Sequence, residues 1–209
     1  PAGKMPSASF GTAVHVGLAF IGEYYNKHNS LPSEELWLEK IEQTLYHEIL
    51  TKKEQSDFFT KTKDVILAYL SKKDCPLAAK ALVEERFWWK KVVVAGVRLT
   101  GVFDRVETLP DGTMQVVDFK TGKPDKWREQ LEDYERQLYF YRLLWDGSGQ
   151  YKTLSRGALD FVEDNPLETV NRKIYTYEEA GLELLRKQIA AFKLSLESLD
   201  FPEKNSFMS

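Results

Sequence analysis

The chain has 209 residues, 43% of them hydrophobic and 13% aromatic, enough to bury a sizeable core in one large domain or two small ones. A net charge of −3 argues against a broadly basic nucleic-acid footprint, while leaving room for a local stripe. Cys75 is the only cysteine, which excludes an internal disulfide and an iron–sulfur cluster held within this chain. No apolar run approaches the roughly 18 residues of a membrane span, and the N-terminus lacks the apolar region of a signal peptide. These features predict a cytoplasmic protein with no membrane partner. The start at Pro1 rather than methionine predicts a piece of something longer.

In chain order, "SASFGTAVHVGLAFIGEYYNKH" reads as a helix with Val14, Leu18, Ile21 and Tyr25 on one stripe and Ser9 or Thr12 as cap. "LPSEELWLEKIEQTLYHEIL" reads as a second, opened by Pro32 and Ser33, with Leu38, Ile41, Leu45 and Ile49 on one face. Glu54–Leu70 is a third, with Phe58, Thr62, Val65 and Tyr69 aligned. The chain then turns rich in β-branched and aromatic residues, predicting strands near Glu84–Val94, Val97–Thr108 and Thr113–Lys120. Lys126–Trp145 returns to helical spacing through Trp127, Leu131, Tyr134, Leu138, Tyr141 and Trp145. "GALDFVE" and "NRKIYTY" are short strands, and Leu182, Leu185, Ile189, Phe192, Leu196 and Leu199 mark a last helix. Helices, a meander, then helix–strand–helix predict one α/β domain with a mixed sheet of four or five strands and a helical N-terminal segment.

Within that meander "VVDFKTG" is anomalous. Asp118 and Lys120 lie two residues apart on a strand, so they point to the same side, and buried charges are normally paired or bound to a metal. "LPDGT" precedes the strand. A three-residue loop, Pro110-Asp111-Gly112, pairs Leu109 with Thr113 and therefore sets Val106 opposite Val116 and Asp104 opposite Asp118. Like charges directly opposed destabilise a sheet, and a divalent cation, which prefers carboxylate oxygens, would justify them. A two-residue loop would instead offset the pairing and separate the aspartates. Edge-strand salt bridges, Asp104 with Arg105 or Arg98 and Asp118 with Lys120, are the plainer alternative, although Arg105 points to the opposite face from Asp104.

These residues resemble the PD-(D/E)xK nuclease superfamily, in particular its RecB-like branch, in which nuclease domains are fused to helicases of the UvrD/Rep and AddAB kind. Gly101–Glu107 ("GVFDRVE") is similar to that branch's first aspartate strand, Asp118–Gly122 ("DFKTG") to its D-x-K-T-G strand, Gln137 and Tyr141 to its Q-x-x-x-Y helix, and Gly11–His15 ("GTAVH") to its upstream G-T-x-x-H helix. The resemblance implies a restriction-endonuclease-like core over residues 1–209 and Mg²⁺- or Mn²⁺-dependent DNA cleavage, as an exonuclease acting in repair or recombination with a superfamily-one helicase. It implies Asp104, Asp118 and Lys120 as catalytic residues, with Asp104, Asp118, His15 and the Phe119 carbonyl as metal ligands. It also implies Gln137 and Tyr141 as DNA contacts. Lys123, Lys126 and Arg128, with Lys90 and Lys91, are either a phosphate-binding stripe or an ordinary solvated face. Glu84 or Glu85 is a weaker candidate for a supporting role. Some relatives hold an iron–sulfur cluster through four cysteines, which this chain lacks.

Each residue also has a plain structural role open to it: a lone helical His15 as a packing residue, Tyr141 as core, Gln137 as a solvated helix position. A catalytically inactive DNA-binding or scaffolding module of the same fold is the alternative function, although such modules usually lose a catalytic residue and Asp104, Asp118 and Lys120 are all present. The likeness of "DFKTG" to a kinase D-F-G has no Gly-rich phosphate loop or H-R-D motif beside it.

Overall fold

The strand Met114–Lys120 is buried along almost its whole length, as a strand covered on both faces must be. Everything else is arranged around it in the computed structural model, which describes residues 6–122, 131–163 and 168–198. In chain order the elements are helices α1 (Pro6–His28), α2 (Glu34–Tyr46) and α3 (Lys52–Leu70) and a 3-10 turn at Pro76–Ala78. Strands β1 (Leu82–Arg86), β2 (Val93–Val94), β3 (Val97–Arg98), β4 (Val102–Thr108) and β5 (Met114–Lys120) follow. Helix α4 (Leu131–Gly147), strands β6 (Leu154–Phe161) and β7 (Arg172–Thr176) and helix α5 (Glu179–Ser198) complete the order.

The sheet order is β1-β4-β5-β6-β7. Only β5 and β6 run parallel; the other neighbours are antiparallel. A parallel pair needs a crossover, and α4 lies between these two strands in the chain. On one face α1–α3 pack Val14, Ile21, Ile41, Leu45 and Ile66 against Val117, Phe119 and Ala158. On the other, α4 and α5 pack Leu138, Leu144 and Leu185 against Val116, Leu159 and Phe161. This mixed five-stranded sheet between helical layers is the restriction-endonuclease-like α/β arrangement that the sequence predicts.

Several local expectations change. The first predicted strand breaks after Arg86 into a turn at Trp88–Lys91, where the Lys90 amide bonds the Phe87 carbonyl at 3.1 Å, and resumes as the β2–β3 hairpin. Helix α1 already runs from Pro6, so Ser9 and Thr12 are interior; Thr12 bonds back to the Ala8 carbonyl at 2.9 Å. Helix α2 stops at Tyr46, leaving Ile49 94% exposed, and its buried row is Trp37, Ile41 and Leu45. On α5 the buried row is Leu182, Leu185 and Ile189, whereas Phe192 and Leu196 face outward. Trp127 and Leu199 lie outside the described residues.

The hairpin between β4 and β5 follows the three-residue reading. The Leu109 amide bonds the Thr113 carbonyl at 2.8 Å, and Gly112 takes the left-handed conformation at φ +83° that a side chain would disfavour. Val106 faces Val116 and Arg105 faces Val117.

Candidate active site

The β4–β5 ladder ends at the Arg105–Val117 pair, and one step further in the same register leads to Asp104 and Asp118. There the Asp104 side chain enters the ladder: its Oδ2 accepts the Phe119 backbone N–H at 2.8 Å. Its other oxygen, Oδ1, lies 3.2 Å from His15 Nδ1 on α1. The His15 ring stands edge-on to Phe119 with centroids 6.2 Å apart. Residue 11 of α1 is a glycine beside Thr121, just past the end of β5; a Cβ there would lie 3.3 Å from Thr121 Oγ1, tighter than ordinary contact. Thus His15 meets a carboxylate. The alternative partners for Asp104 are engaged elsewhere: Arg105 with Glu107 at 3.0 Å, and Arg98 with the Trp88 carbonyl at 2.8 Å.

Asp118 turns to α4. Its Oδ1 accepts from the Tyr141 hydroxyl at 2.9 Å and from Gln137 Nε2 at 3.0 Å, and Oδ2 lies 2.5 Å from Lys120 Nζ. Lys120 in turn donates to Gln137 Oε1 at 2.8 Å and sits over the Tyr134 ring, 4.2 Å from its centroid. Gln137 and Tyr141 share one helical edge because they are four apart, and their mutual bond is 2.6 Å. Gln137 is therefore not a solvated helix residue. Tyr141 is both core and site, its ring packed 4.5 Å from Phe103 and its hydroxyl on Asp118. Tyr134, three residues before Gln137 on the same helical edge, is a member that the apolar stripe concealed. The Asp118–Lys120 pair of the plainer alternative does form, but inside this cluster rather than at an exposed edge.

Burial, and next the Asp104 charge, raises the Asp118 pKa above the ordinary carboxylate range, against the Lys120 ammonium. Burial lowers the His15 pKa, but the Asp104 hydrogen bond and the Asp104 and Asp118 charges outweigh it, and the net shift is upward.

Glu84 adds a third carboxylate. The β1–β4 register, Val83 with Arg105 and Glu85 with Phe103, sets Glu84 across from Asp104. Its backbone sits at φ +50°, a conformation rare for a side-chain-bearing residue, at the one position within β1 that the ladder to β4 skips. Burial and then Asp104 raise its pKa. Glu84, His15, Gly11, Thr12 and Arg86 line a cavity of about 540 Å³. Glu85 faces away and pairs with Lys90 at 2.5 Å. Sequence alone did not separate the two glutamates because the choice depends on the irregular backbone at Glu84.

The donor types suit a hard divalent cation: two carboxylates beside an imidazole, with Asp118 Oδ2 buried against the Lys120 ammonium. Their arrangement does not itself form a ligand cage. Among the described residues no group of three or more His, Cys, Asp or Glu side chains converges as a metal site. The reason is local: Asp104 is drawn to His15 and the Phe119 amide, and Asp118 to Tyr141, Gln137 and Lys120. Lys123, Lys126 and Arg128 lie outside the described residues.

Among the described residues no helix is long and apolar enough to cross a membrane. The family model of the PD-(D/E)XK nuclease superfamily matches residues 1–205. No curated protein matches significantly. A solved structure titled "Crystal structure of SSO0001" aligns over 94% of this chain and 86% of its own at 17% identity, with a TM-score of 0.37, too weak a likeness to carry an argument.

Proposed function

Because the chain belongs to the PD-(D/E)XK nuclease superfamily, we propose that it is a divalent-metal-dependent deoxyribonuclease of the RecB-like branch, built as a single domain over residues 1–209. Its mode is exonucleolytic, and it works in DNA repair or recombination beside a superfamily-one helicase. The observation that carries the reading is the cluster of Asp104, Asp118 and Lys120 with His15, Gln137 and Tyr141.

In this reading Asp104, Asp118, His15 and the Phe119 carbonyl hold Mg²⁺ or Mn²⁺. The ion supplies Lewis acidity toward a phosphate oxygen and lowers the pKa of water. The protein's own groups do the rest. Lys120, held by Gln137 and stacked on Tyr134, presents its ammonium to the attacking water and to the charge that develops on the phosphate. Tyr141 and Gln137 orient Asp118 through Oδ1, so that Oδ2 faces Lys120. Gln137 and Tyr141 also bear on the DNA, with Lys123, Lys126 and Arg128 as phosphate contacts.

The alternative, an inactive module of the same fold, is disfavoured by the intact Asp104, Asp118 and Lys120. End-labelled DNA incubated with Mn²⁺, with and without chelator, decides between them. Wild type cuts only with the ion, and folded Asp118→Asn cuts at least about a hundredfold more slowly, on the scale of losing one electrostatic contributor. A folded Asp118→Asn protein that cuts at the wild-type rate would sink the site assignment. Absence of any cleavage by wild type favours the inactive module.

A further inference from the structure

Two adjacent tryptophans, Trp88 and Trp89, stand 61% and 50% exposed at the end of β1. Trp37 and Trp145, by contrast, are buried. The pair is held in place from beneath. Phe87 is fully buried, its amide bonds the Gly101 carbonyl at 3.0 Å, and its ring lies 4.3 Å from Phe103. Arg98 clamps the Trp88 carbonyl at 2.8 Å. The two indoles meet edge to face with centroids 5.2 Å apart, so each presents its own surface to solvent.

The surroundings are basic in a chain that is net negative. Residues 84–98 carry four cations, Arg86, Lys90, Lys91 and Arg98, against two acids, Glu84 and Glu85. Arg86 and Lys91 are exposed. The patch also adjoins the candidate active site. Arg86 and Glu84 line the His15 cavity, and four residues of chain from Glu84 to Trp88 span at most about 14 Å. Through Phe87 and Phe103 the platform rests on Tyr141, which bonds Asp118.

We propose that Trp88 and Trp89 stack on the bases of single-stranded DNA and so lead an unpaired strand to the Asp104–Asp118 cluster. This rests on the nuclease reading for the identity of the polymer. Exposed aromatics beside cations suit a single strand, whose bases offer π-faces that a duplex keeps stacked inside. Neither indole contributes to the folded core, so both can be replaced without unfolding the chain.

The test is binding in chelator, where no cleavage occurs, of an oligothymidylate of about twelve nucleotides and of a duplex of similar length. Fluorescence anisotropy of labelled DNA is the readout, with indole quenching as a second. The W88A/W89A variant should bind the single strand at least about tenfold more weakly, on the scale of lost base–aromatic stacking, with duplex binding changed less than about twofold. The W88F/W89F variant should retain most of the single-strand affinity. Equal single-strand affinity of wild type and W88A/W89A overturns the proposal, as does equal loss on both substrates or a Phe variant as weak as the Ala variant. Since the readout is binding, its failure leaves the nuclease reading to the cleavage experiment on Asp118→Asn.

Discussion

Asp118 is buried beside Asp104, and its raised pKa makes its charge a cost to folding. Unfolded carboxylates titrate near 4, and the folded group gives up its proton at higher pH. Below both values the side chain is protonated in either state and the cost vanishes; it grows as pH rises through the folded pKa. Asn carries no charge at any pH. We expect Asp118→Asn to melt at or above wild type near neutrality, with the difference shrinking toward about pH 4.5. Thermal melts across that range check it, and a difference that widens in acid would contradict the sign. Lys120→Met should separate binding from chemistry. Mn²⁺ affinity measured by calorimetry should remain within a few-fold of wild type while cleavage falls about a hundredfold or more, because the ammonium acts on water and phosphate rather than on the ion. His15→Ala should weaken Mn²⁺ binding, since its Nδ1 faces the Asp104 carboxylate. An unchanged metal affinity with a lowered melting temperature would make His15 a packing residue.

The Arg and Glu of "GVFDRVE" serve the sheet rather than the site. Arg105, fully buried, bonds Glu107 and the carbonyls of Pro76 and Ala79 at 2.5 and 2.8 Å. Glu107 accepts from Arg172 at 2.8 Å, and Arg172 from β7 bonds Asp160 on β6 at 2.6 and 2.7 Å. Tyr69 from α3 donates to Asp160 at 2.6 Å. The network therefore ties β4, β6, β7, α3 and the turn at Pro76 together beneath the helices. Removing one member leaves others charged and buried, which costs about 3–5 kcal/mol. Asp160→Ala should lower the urea-unfolding free energy by that amount, and a loss under about 1 kcal/mol would show that the network contributes little.

At the scale of the whole molecule, charge sets how DNA is gripped. The chain is net −3, so we expect the domain alone to hold duplex DNA weakly and to depend on a partner for local concentration. With Lys120, Lys123, Lys126 and Arg128 proposed as the phosphate contacts and each contributing roughly 0.9 to the salt slope, we expect a slope of about three to four. Binding of Lys120→Met to duplex DNA across a salt series, allowing for the one lost cation, measures it. Nanomolar affinity at physiological salt would favour a self-sufficient enzyme over a partner-fed one.

What the sequence determined by itself was local. A loop of three residues between Leu109 and Thr113 leaves only one register, and that register brought Asp104 to Asp118. Spacing of four put Gln137 and Tyr141 on one edge of a helix. Tertiary packing decided what lay beyond such reach. It brought His15 to an aspartate 89 residues away, turned Gln137 inward onto Lys120, and set Glu84 rather than Glu85 toward the cavity through one residue at positive φ. It also chose which apolar residues stay outside. Ile49 fell beyond the end of α2, and Trp88 and Trp89 landed in a turn rather than on a strand. Backbone periodicity and loop length are properties of neighbouring residues, so they are legible in one dimension. Side-chain partners and exposure depend on which surfaces meet, and only the folded chain brings those together.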